Sequence, residues 1–215
     1  MQISWLGHSA FKLQGKGVND TVTIITDPFH PEKVGLKLPR LEADILTISH
    51  AHDDHNNVEA VKGNPFVITS AGEYESKSIF IEGVLSSHDD KQGAERGANI
   101  IYRFEIEDIS ITHLGDLGCE LTNKQLESLE GTDILLVPIG GVYTIDAHKA
   151  VTVINQIEPR IVIPMHYKVP GLKYDLGTLE TFLKAIAVKP RQEEKLKIVK
   201  KDLPQEDMEV VVLSF

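Results

Sequence analysis

Ile45–Asn57 reads ILTISHAHDDHNN: an apolar, β-branched run, then three histidines and two aspartates within the six positions from His50 to His55. The run has the composition of a buried strand. His50 and His52 alternate along an extended backbone, so both rings can face one side. Asp54 and His55 are adjacent and must point differently. Donors that diverge in this way suit two neighbouring ions better than one. The bland alternative is a solvated turn, which Asn56 and Asn57 would favour. So many ligand types in so few positions argue against it.

Outward from this stretch, short β-rich runs recur: QISWLG, TVTIITD, ADILTIS, PFVITS, SIFIEGV, ANIIYRFEIEDISIT, DILLVPI, RIVIPM and EVVVLSF. Helical spacing lies between the later ones. TNKQLESLEG has Thr122 to cap it, Gly131 to stop it, and Leu126 and Leu129 on one face. DAHKAVTVINQIEP starts at Asp146, places Ala150, Val151, Ile154 and Ile157 on one stripe, and stops before Pro159. TLETFLKAIA is a third helix. Strands first, then strands mixed with helices, predict an α/β (α+β) chain with two sheets and helices packed outside. The loop PFHPEKVGLKLPRLE, with prolines at 28, 31 and 39, has the size of a lid or substrate-binding loop. No linker or low-complexity tract interrupts residues 1–215, so one domain is expected.

ILTISHAHDD and ISITHLGD both run strand, hydroxyl residue, histidine, aspartate, and RIVIPMH is a third strand ending in histidine. Strand ends are where α/β folds place their chemistry. The net charge of -10 and pI near 5.3 argue against long nucleic acid, whose phosphates demand a basic stripe. No apolar run approaches the ~18 residues of a membrane span, and MQISWLGHSAF lacks the pattern of a signal peptide. With Cys119 as the single cysteine, a cytoplasmic location is expected.

HAHDDH resembles the H-x-H-x-D-H signature of the metallo-β-lactamase superfamily, and further markers follow in that family's order over roughly Ser4 to Tyr167. Asp27 in IITDP resembles its buttressing aspartate, His88 in SSHDD its third histidine, Asp116 in THLGDLG its bridging carboxylate, and His166 in VIPMHY its last histidine. GHSAF, HLGDLG and IPMHY are closest in style to the small ascorbate-6-phosphate lactonase-like hydrolases. The resemblance implies a four-layer αββα sandwich with the site at one edge of the sheets. It also implies one ion on His50, His52 and His88, a second on Asp54, His55 and His166, and Asp116 shared. Zinc is the first expectation for both ions, manganese or iron the alternatives. His8 and His113 match positions near this site in relatives. Asp27, His8, Tyr143 and Lys168 are expected to orient ligands or touch substrate, as Thr144 and Lys173 would. His30 would reach substrate from the loop, His148 would face solvent, and Cys119 would be a small buried or turn residue.

Two such ions would supply a metal-bound hydroxide as nucleophile, with Asp54 or a neighbouring histidine such as His113 moving the proton. The reaction expected is hydrolysis of a small anionic ester, lactone or phosphoester. His52, where flavodiiron proteins carry glutamate, and the short segment after His166 narrow the relatives. Two other readings stand beside it: a catalytically idle metal-binding or sensing protein, and a phosphodiesterase acting on nucleotides.

Overall fold

A computed structural model describes residues 1–17 and 20–215. Among the described residues, sixteen strands form two large sheets and one small one. The first sheet runs, in spatial order, Leu196–Lys197 (β15), Gln2–Gly7 (β1), Ala10–Lys16 (β2), Thr21–Thr26 (β3), Ile45–Thr47 (β5) and Phe66–Ile68 (β7). The second runs Arg191–Glu193 (β14), Glu209–Leu213 (β16), Ile161–Met165 (β13), Ile134–Pro138 (β12), Ile109–His113 (β11), Ala98–Ile106 (β10), Ile79–Ser87 (β9) and Gly72–Ser76 (β8). Leu41–Glu42 (β4) and Val61–Lys62 (β6) pair with each other. The helices are Pro31–Val34 (α1), Asn123–Ser128 (α2), Ala147–Ile157 (α3) and Leu179–Ile186 (α4).

The two-residue side-chain period of strands explains the layering. In β3 and β5, Ile24 and Ile45 enter the main core that both sheets share, while Ile25 and Leu46 point the other way. There they pack with Leu41, Ala43, Ile48 and Val61. These strands are apolar on both faces because both are covered. Tyr102 of β10 ties the sheets together: its buried hydroxyl lies 3.0 and 3.1 Å from the Ile48 and Ile68 carbonyls, to which it donates.

The αββα layering holds, with one modification. On the second sheet the outer layer is helical, and the expected caps are in place. Thr122 and Gln125 form a reciprocal capping box, and the Asp146 carboxylate accepts from the His148 and Lys149 amides. The buried stripe of α3 is Ala147, Ala150, Val153 and Ile154, with the expected Val151 and Ile157 packed half-buried against the same core. Outside the first sheet, among the described residues, the helical pieces are α1 and a 3-10 turn at Val58–Ala60, and loops with β4 and β6 do the covering.

The proline-rich loop is packed down. Phe29 and Val34 are fully buried with Leu36, Leu172 and Leu176. The Asn57 amide donates to the Phe29 carbonyl, and the Lys173 N–H to that of Val34.

Direction decides where the chemistry falls. β1 and β3 run parallel to β5, and β9 and β11 run parallel to β13, because each antiparallel neighbour reverses twice. All six strands therefore end toward common edges, and each is followed by a candidate residue: His8, Asp27, His50, His88, Asp116 or His166.

Candidate metal centre

Three of these residues leave their strands with left-handed backbone: His8 at φ 52°, Asp27 at 42° and His166 at 51°. Non-glycine residues adopt this region at a cost, and such outliers cluster at functional sites. Gly115 (φ 57°) has no room for a side chain, since a Cβ would lie 2.3 Å from Asn99 Oδ1 and 2.7 Å from Ser49 Cβ. A Cβ on Gly118 would meet the His88–Asp89 backbone at 2.3 Å. The two glycines of HLGDLG thus let the Asp116 loop press against the His50 and His88 strand ends.

The buttress is built from Asp27. Its Oδ1 accepts the Ser49 N–H at 2.7 Å, and its Oδ2 accepts the Ser49 hydroxyl at 2.6 Å and His55 Nδ1–H at 2.9 Å. With that hydroxyl proton spent on Asp27, Ser49 Oγ accepts from His50 Nδ1 at 2.9 Å. Both rings are thereby fixed with Nε2 turned toward the cluster. A carboxylate behind a ligating imidazole is the usual way a protein sets that ring's tautomer.

Asp116 is the point of convergence. Its Oδ2 lies 3.2 Å from His166 Nε2, 3.3 Å from His55 Nε2 and 3.5 Å from His88 Nε2. The Asp116 amide donates to Asn99 Oδ1 at 2.9 Å, and Asn99 Nδ2 donates to the Leu114 carbonyl at 2.9 Å. Asn99, fully buried on β10, is a positioning residue that sequence reading missed. A lone asparagine in a long strand carries no local signal.

Three groups of donor atoms result, each gathered within 4.8 Å: His50, His52 and His88; His8, Asp54, His55 and His166; and His50, His55 and Asp116. All seven expected ligand residues are brought together, and His8 joins them. His8 Nε2 is 3.1 Å from Asp54 Oδ2, and its ring lies 4.1 Å from that of His166.

The electrostatics call for cations. Burial opposes ionisation of Asp27, Asp54 and Asp116, but facing imidazoles outweigh it and hold all three below the usual carboxylate range. Burial, reinforced by the nearby His166, lowers His8 to about 4. Burial, with His55 beside it, lowers His50 to about 3. Burial also lowers His88 and His113. His55 is raised: burial disfavours its charge, yet Asp116, Asp54 and the bond to Asp27 prevail. Three carboxylates held in the ionised form thus meet a cluster of largely buried imidazoles. Among the described residues, ten buried side-chain polar atoms lack a protein partner, and six of them belong to His8, His50, His55, His88, Asp116 and His166. Buried polar atoms are rarely left so. A histidine and carboxylate donor set without thiolate fits zinc, manganese or iron.

His113 requires a correction. It is wholly buried; Nε2 donates to the Ser9 carbonyl at 2.9 Å and Nδ1 accepts the Gly115 N–H at 3.1 Å. Both nitrogens are spent on backbone, so it positions the Asp116 loop and cannot serve as a proton carrier. Lys168 likewise lies outside the lining of the pocket above the cluster. Its ammonium donates to the Tyr174 carbonyl at 2.8 Å, and Asp175 Oδ1 is 3.5 Å away. Lys173 donates to the Glu32 carbonyl. His30 precedes α1, 3.5 Å from Glu32, outside the pocket lining. His148 is exposed and Cys119 half-buried.

Above the cluster opens a pocket of about 300 Å³, lined by His52, Asp54, His88, Arg96, Asp116, Tyr143 and Tyr174. Tyr143 is where the sequence suggested. Arg96 and Tyr174 were missed, since loops carry them in from distant positions. Burial and the charge of Asp54 push the Tyr174 phenol up to about 12, so it stays a hydrogen-bond donor.

Comparison with known proteins agrees with this geometry. Residues 2–166 match the family model described as the beta-lactamase superfamily domain. The chain is similar to proteins named UPF0173 metal-dependent hydrolase. The one from Archaeoglobus fulgidus is 28% identical, over 88% of this chain and 92% of its own. The one from Thermococcus onnurineus is 30% identical, over 78% and 84%. Among solved structures, a candidate Zn-dependent hydrolase of the metallo-β-lactamase superfamily from Thermotoga maritima aligns with a TM-score of 0.80. It is 37% identical and covers 99% of this chain and 97% of its own.

Proposed function

Because the chain belongs to the metallo-β-lactamase superfamily, we propose that it is a metal-dependent hydrolase of a small anionic ester, lactone or phosphoester. The observation that carries this reading is the placement of three imidazole Nε2 atoms within 3.5 Å of one carboxylate oxygen, Asp116 Oδ2. Imidazole nitrogens and carboxylate oxygens gathered this closely and buried form a donor set that suits a divalent cation.

His50, His52 and His88 would hold one divalent ion, and Asp54, His55 and His166 the other, with Asp116 between them. When bound, such ions lower the pKa of a coordinated water from about 16 toward about 7 and polarise a substrate oxygen. The chain's own residues do the rest. Asp27 and Ser49 keep Nε2 of His55 and His50 toward the cluster. Asp54, at the pocket wall with its side chain 16% exposed, is placed to accept a proton and pass it to a leaving group. His8, within hydrogen-bond distance of that carboxylate, keeps it oriented. The buried floor excludes bulk water, so charge developing on substrate is felt strongly.

The narrow pocket supports a small substrate over a polymer. The test is a panel of lactones, phosphodiesters, phosphomonoesters and thioesters, assayed with each metal restored to stripped protein. Turnover on a small ester or lactone that needs the metal and falls by orders of magnitude in Asp54→Ala is expected. Full metal occupancy with no turnover on any class would instead favour an idle metal-binding protein.

A further inference from the structure

The outer wall of the pocket comes from three separate loops: Arg96 after β9, Tyr143 after β12 and Tyr174 after β13. The Arg96 guanidinium carbon lies 5.8 Å from the centre of the Tyr143 ring. Tyr143 meets Tyr174 edge to face at 6.0 Å, and Tyr174 stacks on His8 at 5.7 Å. Planar groups therefore run from the rim down to the ligand cluster.

An arginine has five N–H donors. Among the described residues, this one donates only from Nη2 to the Val142 carbonyl at 3.3 Å. Its nearest carboxylate oxygen, Glu95 Oε2, is 4.0 Å away, and Glu95 is paired with Lys91. The charge thus has only a distant carboxylate shared with Lys91, and it is not buried, with the side chain 35% exposed.

Two devices hold that group in place. The Asp89 carboxylate accepts four backbone N–H groups, from Lys91, Gly93, Glu95 and Arg96, at 2.7 to 2.9 Å. A surface loop is thereby made rigid up to the arginine. On the facing loop, Val142 adopts φ 58°, a conformation β-branched residues seldom take, and turns its carbonyl to Arg96. Strain of this kind persists where the surroundings over-determine it.

We propose that Arg96, flanked by Tyr143 and Tyr174, binds a second anionic group of the substrate, a carboxylate or phosphate distinct from the group attacked. The inference rests on the hydrolase reading of the same site, and it narrows the substrate to one with a charged group beyond the bond broken. Arginine's planar fork matches both anions, which a lysine would contact only as a point charge.

The test compares propylphosphonate with 3-phosphonopropionate, which carries an added distal carboxylate, by calorimetry on zinc-reconstituted protein. The wild type should bind the carboxylate-bearing probe about tenfold or more tighter, as a charge-assisted pair implies. Arg96→Gln should abolish that preference with zinc content unchanged, and Arg96→Lys should restore part of it. A wild type without the preference, or an Arg96→Gln protein that keeps it, overturns the proposal. Hydrolysis of p-nitrophenyl acetate and mono-p-nitrophenyl succinate is read separately on the same samples. If neither these esters nor any class of the lactone, phosphoester and thioester panel turns over while the Arg96-dependent preference remains, the hydrolase reading fails and anion recognition stands. Turnover of both with no role for Arg96 gives the reverse.

Discussion

His55 Nδ1 lies 2.9 Å from Asp27 Oδ2, with both side chains wholly buried, and this bond decides which nitrogen of His55 faces Asp116. The same carboxylate oxygen accepts from Ser49, which in turn holds His50. One aspartate therefore orients a histidine of each expected ligand group. Asp27→Ala should weaken metal affinity by about 10–100-fold, read by competition with a chromogenic chelator. An unchanged affinity would show that the rings are held by packing instead.

Metal should act as a stabilising ligand. At zinc about 100 times its Kd, linkage raises stability by about 2.7 kcal/mol, or roughly 5–10 °C in Tm for a chain of this size. Asp116→Ala removes the carboxylate that three imidazoles share and should lose most of that rise. Thermal scans with chelator and with added zinc make the comparison. An equal zinc-dependent rise in both proteins would place binding elsewhere.

The loop bearing Arg96 should loosen in acid. Its anchor, Asp89, is held down to about 2, chiefly by the backbone N–H of Arg96 and by those of Lys91, Glu95 and Gly93. Its unfolded value is about 3.9. A depressed carboxylate contributes fully above the unfolded pKa and loses its contribution as pH falls through the folded one. Protection of the residue 91–96 amides from hydrogen exchange, corrected for intrinsic rates, should be complete above pH ~4 and decline toward about 2. Asp89→Asn should bring the loss to neutral pH. Protection independent of pH over that window contradicts the assignment.

His113 should behave as a positioning residue. His113→Ala leaves the Ser9 carbonyl and the Gly115 N–H without their partner, at a cost of about 1–3 kcal/mol. Turnover should fall because Asp116 is displaced, but the apparent pKa values of the pH–rate profile should not move. Loss of one limb of that profile would restore a proton-carrying role.

The cluster was readable because its parts sit where local patterns converge. His50 to His55 are contiguous, and Asp27, Asp116 and His166 each follow an apolar strand whose end is visible in the sequence. The roles of His113 and Lys168 were not readable. Both lie close in sequence to ligands, but what their nitrogens touch depends on chain brought in from elsewhere: Ser9 for His113, and the loop of Tyr174 for Lys168. Arg96 lay in a polar loop, and what distinguishes it from solvated neighbours, the four bonds of Asp89 together with the Val142 carbonyl and the Tyr143 ring, appears only in the fold. β2 was missed despite the alternation of Phe11 and Leu13 with Lys12 and Gln14. The thin outer layer on the first sheet follows from Gly35, whose left-handed backbone ends α1 after one turn, and from Pro39, which keeps the helix from resuming.

Metal content bears most directly on the paired-ion centre. Purified protein reconstituted with zinc and freed of excess should carry two ions per chain by elemental analysis. Anomalous scattering from its crystals should place them on either side of Asp116. Fully folded protein that binds no ion there, or that hydrolyses its substrate just as fast once stripped, would contradict the central claim.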